Sequence, residues 1–307
     1  MILMPEVFTI IVSYNGAQWL NRCLESLLQS EYNTKIIVVD NASQDESCTI
    51  LEQYSNKIEV IKNSENLGFG KANNIGIKKA MERGAAMVFL LNQDAYVFKD
   101  TIKILVEKLQ QHPHYGIVAP LQLNSNGTEL DDAFEKYVLR SLGVKKTTNI
   151  LNKQDNNIYP SRFVNAAAWL IPKKCIEKVG YFHEVFSHYG EDNNYSSRVQ
   201  YHKFKIGIVP IAKVIHDRTI KNESDETLLL RKIRTVPLYT LLDIRKPFFL
   251  AHFLAKRKLS RLIKKLNRHD VDAKALIEEQ KKWFNDKKEF AKNIRHEMKS
   301  TYACIIG

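Results

Sequence analysis

Short apolar runs recur along the first third of the chain, each closed by an abrupt polar stop. Val7–Val12 ends in Ser13-Tyr14-Asn15-Gly16, and Ile36–Val39 ends in Asp40-Asn41. Ile58–Ile61 precedes Asn66-Leu67-Gly68-Phe69-Gly70, and Met87–Leu91 ends in Asn92-Gln93-Asp94. Unbroken apolar runs of this length read as strands covered on both faces. Between them, Leu20, Leu24, Leu27 and Leu28 recur at helical spacing from Trp19 to Ser30. Ser43 is placed to cap a helix reaching about Tyr54, and another helix runs from about Lys71 to Arg83. Four strand–helix alternations predict an α/β fold, with a mostly parallel central sheet flanked by helices and right-handed crossovers.

In a parallel sheet the carboxyl ends of the strands converge on one edge, where such folds bind ligands. The polar stops therefore predict one crevice lined by two carboxylates and several amides. Any single stop is also ordinary turn chemistry. Asp94 can supply an oxygen ligand to a hard cation, or it can sit solvated in a turn.

Further along, a helix is expected from about Thr101 to Gln111 and a strand over Gly116–Pro120. Residues 124–162 are polar and read as an irregular, partly mobile insertion with a turn at Asn124–Gly127. Phe163–Pro172 reads as a strand rich in small residues. Its Trp169 can offer a flat ring to a ligand or pack in the core. Gly190-Glu191-Asp192 opens a helix to about His202, and two closing strands, 205–210 and 212–216, lead to His216. Beyond that the pattern turns helical. The predicted organisation is a domain over 1–220 and a helical basic extension over 221–307.

Composition sharpens this division. Of a formal net charge of +12, residues 221–307 hold 21 Lys/Arg against 11 Asp/Glu, leaving 25 against 23 for residues 1–220. Within the extension, 249–266 interleaves apolar residues with Lys256, Arg257, Lys258, Arg261, Lys264 and Lys265. Such a basic amphipathic helix can lie on an anionic membrane or pack its apolar face on the domain. Pro247 should break or kink the helices around it, and a last charged helix is expected over 281–298. Cys23, Cys48, Cys175 and Cys304 lie far apart without a CxxC pair, which fits a reducing compartment. No run reaches the roughly 20 apolar residues of a membrane span, and the N-terminal run reads as a strand rather than a secretory signal. The expected location is the cytoplasm, at most peripheral on the inner face of the membrane.

Taken together, Ile11–Asn15, Val38–Ser43, Asn66–Phe69, Asn74-Ile75-Gly76, Leu91–Asp94, Tyr189–Asp192 and Ile215-His216 resemble a family 2 glycosyltransferase of the A-type nucleotide-sugar-transferase fold. The rhamnosyltransferase-like members are the most similar. The resemblance covers about two-thirds of the chain. It implies donor contacts from Ser13, Tyr14, Asn15, Asp40, Asn66, Gly68, Asn74, Asn92, Gln93, Asp94 and Trp169. Asp40 would accept the imide N–H of a pyrimidine, a charge-assisted bond, although it also suits an Asx-turn. Asp94, with His216, would hold Mg²⁺ or Mn²⁺ against the donor diphosphate, and His216 can equally be structural. Asn92 departs from the family's acidic motif and is a neutral ligand at best. Asp192 would be the general base of an inverting transfer, with Glu191 positioning the acceptor or supporting it. The two are adjacent and cannot point the same way, so only one serves as base.

The implied donor is a dTDP- or UDP-sugar, and the implied acceptor is a glycan or lipid-linked hydroxyl in surface polysaccharide biosynthesis. A nucleotidyltransferase would want a glycine-rich basic loop after the first strand, which Ser13–Gln18 does not offer. No P-loop or GxGxxG dinucleotide fingerprint is present. Nucleic-acid binding is disfavoured, since the basic charge is confined to the extension without a recognised motif. A non-catalytic sugar- or nucleotide-binding relative remains open because of Asn92.

Overall fold

The computed structural model describes residues 4–142, 156–218, 224–266 and 274–300. Its first half builds β1 (Val7–Ser13), α1 (Ala17–Leu28), β2 (Lys35–Asp40), α2 (Ser47–Gln53), β3 (Ile58–Lys62), α3 (Phe69–Glu82) and β4 (Met87–Asn92). Next come β5 (Ala95–Val97), α4 (Thr101–Gln111), β6 (Tyr115–Leu123), α5 (Asp132–Leu142), β7 (Tyr159–Ser161), β8 (Ala168–Pro172), α6 (Lys173–Val179), α7 (Glu191–Tyr201) and β9 (Lys205–His216). The strands form one sheet in the order β3-β2-β1-β4-β8-β6-β9-β5, with β7 on β9. The β1–β2, β1–β4 and β2–β3 ladders are parallel, as the alternating pattern predicts. From β8 onward the sheet is mixed. Two cores cover its faces, one around Phe8, Leu90, Trp169 and Tyr195, the other around Leu24, Val38, Phe89 and Leu105.

Several expectations change. Ser43 does not cap α2, which starts at Ser47 with Glu46 before it. The insertion is not wholly irregular: Leu123 and Leu130 bridge, and α5 follows with Phe134 and Val138 fully buried. Asp131 starts α5 by accepting the N–H groups of Ala133 and Phe134 at 3.1 and 2.8 Å. The rest of the expected mobile insertion, 143–155, lies outside the described residues, as does Cys304. The segment ahead of β8 is not strand, and the two closing strands are one long β9 with a register shift against β6.

The C-terminal part forms α8 (Asp225–Leu241), α9 (Phe248–Leu266), α10 (Lys274–Asp286) and α11 (Lys288–Glu297). Pro247 falls between α8 and α9, where its missing N–H costs nothing, whereas Pro237 sits inside α8. The expected last helix is two, α10 and α11. α9 packs part of its apolar surface on the protein. Ala255, Leu259 and Leu266 join Leu229, Ile233, Phe284 and Ile294 in a third core that also takes in Phe186. Arg295 of α11, nearly fully buried, donates to the carbonyls of Leu241, Asp243 and Lys246. Asn194 of α7 donates to Met298 Sδ at 3.4 Å. These helices thus back the element that opens with Glu191-Asp192.

Candidate functional site

The ladders align the polar stops. Ser13 pairs with Asp40 and Val12 with Asn92, so β2, β1 and β4 end level. The chain then leaves the sheet through left-handed residues, with φ of 48° at Asn15 and 65° at Ala42. Non-glycine residues in that region gather where a surrounding structure over-determines them.

From β1, the Tyr14 N–H donates to Gln93 Oε1 at 2.9 Å and Gln93 Nε2 donates back to the Tyr14 carbonyl at 3.1 Å. Gln93, expected as a donor contact, has its amide engaged in tying the two loops together. A Cβ on Gly16 would lie 2.1 Å from Gln93 Oε1, so that clamp needs glycine there. Asn15 Oδ1 accepts the Gln44 N–H at 2.8 Å, and the Asn15 N–H donates to Ser43 Oγ at 3.0 Å. Asp40 combines both readings. Its Oδ2 accepts the Ser43 N–H at 3.1 Å, an Asx-type turn, while its Oδ1 is buried without a partner.

The next loop hangs on Asn41, which donates to Asn66 Oδ1 at 2.8 Å and accepts the Leu67 N–H at 3.0 Å. Asn66 Oδ1 also accepts the Gly68 N–H at 2.9 Å. Gly68 has a φ of +80°, and a Cβ there would sit 2.0 Å from the Ser187 carbonyl oxygen, so this loop touches the segment leading into α7. Beside it, the missing side chain of Gly70 leaves room for Glu191.

Tyr189 and Gly190 take φ of 66° and 94°, and α7 begins at Glu191. Glu191 is buried with Oε2 unpartnered. Burial, then the neighbouring Asp192 charge, pushes its carboxyl up to about 7. Asp192 takes a different direction: its Oδ1 accepts the N–H and Nδ2 of Asn193 at 2.7 and 3.0 Å. Burial raises the Asp192 carboxyl, the Asn193 bonds counter that, and the Arg218 charge adds to them.

Arg218 leads back to β4. Its Nε lies 3.3 Å from His216 Nδ1 and 3.2 Å from Asp131 Oδ2. His216 Nε2 lies 3.4 Å from Asp94 Oδ1 and 3.4 Å from Asn92 Nδ2. The pairing of Ala95 with His216 across β5 and β9 sets this proximity. Asp94 Oδ1 is buried and makes no hydrogen bond. Contacts, chain continuity and the charge of Arg218 felt at Asp192 thus order a ring of residues from Asp40-Asn41 through Asn66, Gly68, Ser187, Glu191-Asp192, Arg218, His216, Asp94 and Gln93 to Tyr14 and Asn15. Ser13 Oγ, Asp40 Oδ1, Asp94 Oδ1 and Glu191 Oε2 are all buried without a hydrogen bond among the described residues, Asp94 Oδ1 lying near His216. Desolvated oxygens of that kind call for an explanation, and a bound ligand supplies one.

Two expected donor contacts fall outside the ring. Trp169 is fully buried, its ring 6.3 Å from Phe182 and 6.0 Å from Tyr195, because its position on β8 points into the core between sheet and α7. Asn74 spends both amide atoms on the Phe182 backbone, at 2.8 and 2.9 Å, clamping α3 to the segment before α7. Two members of the ring's neighbourhood, Asp131 and Arg218, were missed by sequence reasoning. Asp131-Asp132 ahead of Phe134 and Val138 is a helix-start signal, but nothing in it points to His216.

Residues 9–180 match the family model described as glycosyl transferase family 2. The chain belongs to that family. Among curated family 2-like relatives, it is 24% identical over 265 residues to a low-salt glycan biosynthesis hexosyltransferase of Haloferax volcanii, covering 85% of this chain and 80% of that protein. It is 23% identical over 223 residues to a dTDP-rhamnosyl transferase of Shigella flexneri, covering 70% and 71%. The fold is that of a mannosyltransferase from Pyrobaculum calidifontis solved with GDP-Man and Mn²⁺, at a TM-score of 0.61 and 15% identity over 99% of this chain and 87% of the other. The chain is therefore a glycosyltransferase with the A-type architecture, built on a central sheet flanked by helices and continued by a helical C-terminal part.

Proposed function

We propose that this glycosyltransferase moves a hexosyl unit from a pyrimidine-nucleotide diphospho-sugar to a hydroxyl of a glycan or lipid-linked acceptor, inverting the anomeric centre, in surface polysaccharide biosynthesis. The observation that supports the reading is that β2, β1 and β4 end level, with Asp40 and Asp94 at those ends and the Arg218 that adjoins His216 felt as a charge at Asp192. The similarity to a dTDP-rhamnosyl transferase and to a glycan biosynthesis hexosyltransferase supports the donor and pathway class.

In this reading the spare Oδ1 of Asp40 accepts the imide N–H of the base. Ser13, Asn15, Asn66 and Gly68 border the nucleoside, with Tyr14 offering a ring that is 44% exposed. At the far end, Asp94 and His216 would hold Mg²⁺ or Mn²⁺, with Asn92 beside them. Among the described residues no three His, Cys, Asp or Glu side chains gather as a complete metal site. That donor set fits a cation held by one carboxylate and one imidazole and completed by diphosphate oxygens. Such a cation, when bound, neutralises charge developing on the leaving diphosphate. Arg218 stands close enough to share that role.

Asp192 takes the proton of the acceptor hydroxyl as its oxygen bonds to the anomeric carbon. The bond from that carbon to the diphosphate oxygen breaks, and the diphosphate leaves with the electron pair. One displacement with one base inverts the centre. Glu191, whose carboxyl burial pushes up to about 7, is assigned to positioning the acceptor or supporting Asp192 and does not replace it. The test is Asp192→Asn, assayed against dTDP-, UDP- and GDP-sugars. Donor binding, read by thermal shift with Mn²⁺, is expected to persist while turnover falls roughly 10²–10⁴-fold. Unchanged turnover removes Asp192 from the role, and a response to GDP-sugars alone removes the pyrimidine.

A further inference from the structure

Helix α9 has a second face that its packing does not use. Ala251, Ala255, Leu259 and Leu266 are buried. On the other side Phe249 is 76% exposed and Phe253 58%, with Leu250 at 37% beside them. At about 3.6 residues per turn, Phe249, Phe253, Arg257 and Lys264 fall on one stripe, flanked by Leu250, Arg261 and Lys265. Arg257, Arg261, Lys264 and Lys265 are all exposed. Over its nineteen residues α9 carries six Lys/Arg and no Asp or Glu.

Two rings and a leucine standing together in water mark a surface that something covers. The charge decides what. A helix without one acidic residue cannot meet a basic partner, and four cations directly after the aromatic patch match an anionic plane. Aromatic side chains favour the boundary between headgroups and acyl chains, and Lys and Arg favour acidic headgroups. We propose that this face of α9 docks on an anionic lipid bilayer. Phe249, Leu250 and Phe253 enter the interface, and Arg257, Arg261, Lys264 and Lys265 pair with headgroup phosphates. The inserting residues are the apolar positions at the start of 249–266, which stay exposed while Ala255, Leu259 and Leu266 are spent on the third core. The proposal stands apart from the sugar and the base, because it rests on this surface alone.

The test is flotation of the full-length chain with vesicles of phosphatidylcholine, with and without phosphatidylglycerol. Wild type is expected to float only with the acidic lipid and to be released by high salt, which screens the headgroups. Phe249→Ser with Phe253→Ser should weaken partitioning roughly tenfold or more. Lys264→Glu with Lys265→Glu should do the same from the charge side, by roughly tenfold. These positions are exposed, so melting temperature and donor-induced thermal shift should stay at wild-type values, which separates a failed docking surface from a failed transferase. A Phe253→Trp variant adds a direct reading, a blue shift of its emission on adding acidic vesicles. Wild type that stays unbound, floats equally on neutral vesicles, or floats unchanged with either double variant overturns the proposal. So does self-association abolished by the serine pair without any flotation, which would assign the patch to a second copy of the chain.

Discussion

Glu191 and Asp192 are neighbours in sequence with unlike surroundings. Glu191 is 6% exposed and turned toward α3, whereas Asp192 is bound by Asn193 and faces the Arg218 charge. Burying a carboxyl without a counter-charge favours its protonated form. For Glu191 the folded value rises from an ordinary 4.5 to about 7. A raised carboxyl value means that the folded chain holds a proton that the unfolded chain has released between those two pH values. Stability from this group is therefore full below pH 4.5 and is lost as pH rises through 7. The loss amounts to about 3 kcal/mol if no other group compensates. Glu191→Gln keeps the shape and removes the titration. In the ligand-free chain, the variant and wild type should melt alike near the low end of that window. Above it the variant should be the more stable, as thermal melts in a pH series would show. Parallel pH profiles would mean that Glu191 is solvated or paired in solution.

At the scale of elements, the C-terminal helices are part of the site's support. Arg295 of α11 is 3% exposed and feels the Asp243 charge; it caps the end of α8 and the following turn through three carbonyls. Bonds from a charged donor contribute more than neutral ones, and their loss leaves buried carbonyls unpartnered. Arg295→Met should therefore cost about 3 kcal/mol in urea unfolding. Lys173→Met, which breaks the exposed pair with Glu177, should cost no more than about 0.5 kcal/mol. Equal costs would mean that the carbonyls are satisfied by water. This support was not legible in the sequence, because a buried arginine and a solvated one look alike in a charged helix. What was legible follows from double-sided burial. β1 to β4 announce themselves, since strands covered on both faces have no choice but apolar runs. Asp40, Asp94 and Asp192 could be picked out because they stop such runs or open a helix, and the structure places them at those strand ends and at that helix start. For Trp169 the sequence left core packing open and the structure takes it, while Asn74 binds backbone instead of facing the crevice, since the residue type near a strand or loop does not say which way a side chain points. α5 hid because its start lies in a polar stretch, with Phe134 and Val138 the core residues that anchor it among those described.

For the whole molecule, the ring has two ends that do separate work in the proposed reading. Asp40 stands at the end of β2 and Asp94 just past β4, with β1 between them. Asp40 is held by Ser43 and Cys48, and Asp94 faces His216, so the two carboxylates share no partner. Changes at separate sites without common partners usually add. A nucleotide sugar that binds only the native chain raises its melting temperature, by about 2.7 kcal/mol of stability at a hundredfold excess over Kd. That gain should split into a metal-free part from the base end and a Mn²⁺-dependent part from the diphosphate end. Asp94→Asn should erase the Mn²⁺-dependent part and leave the rest. Asp40→Asn should erase the metal-free part and leave the response to Mn²⁺ added with inorganic diphosphate. Carrying both substitutions, the chain should lose the sum. If Asp94→Asn instead removes the metal-free shift as well, the carboxylate after β4 is holding the pocket's shape, and the assignment of the cation to that end fails.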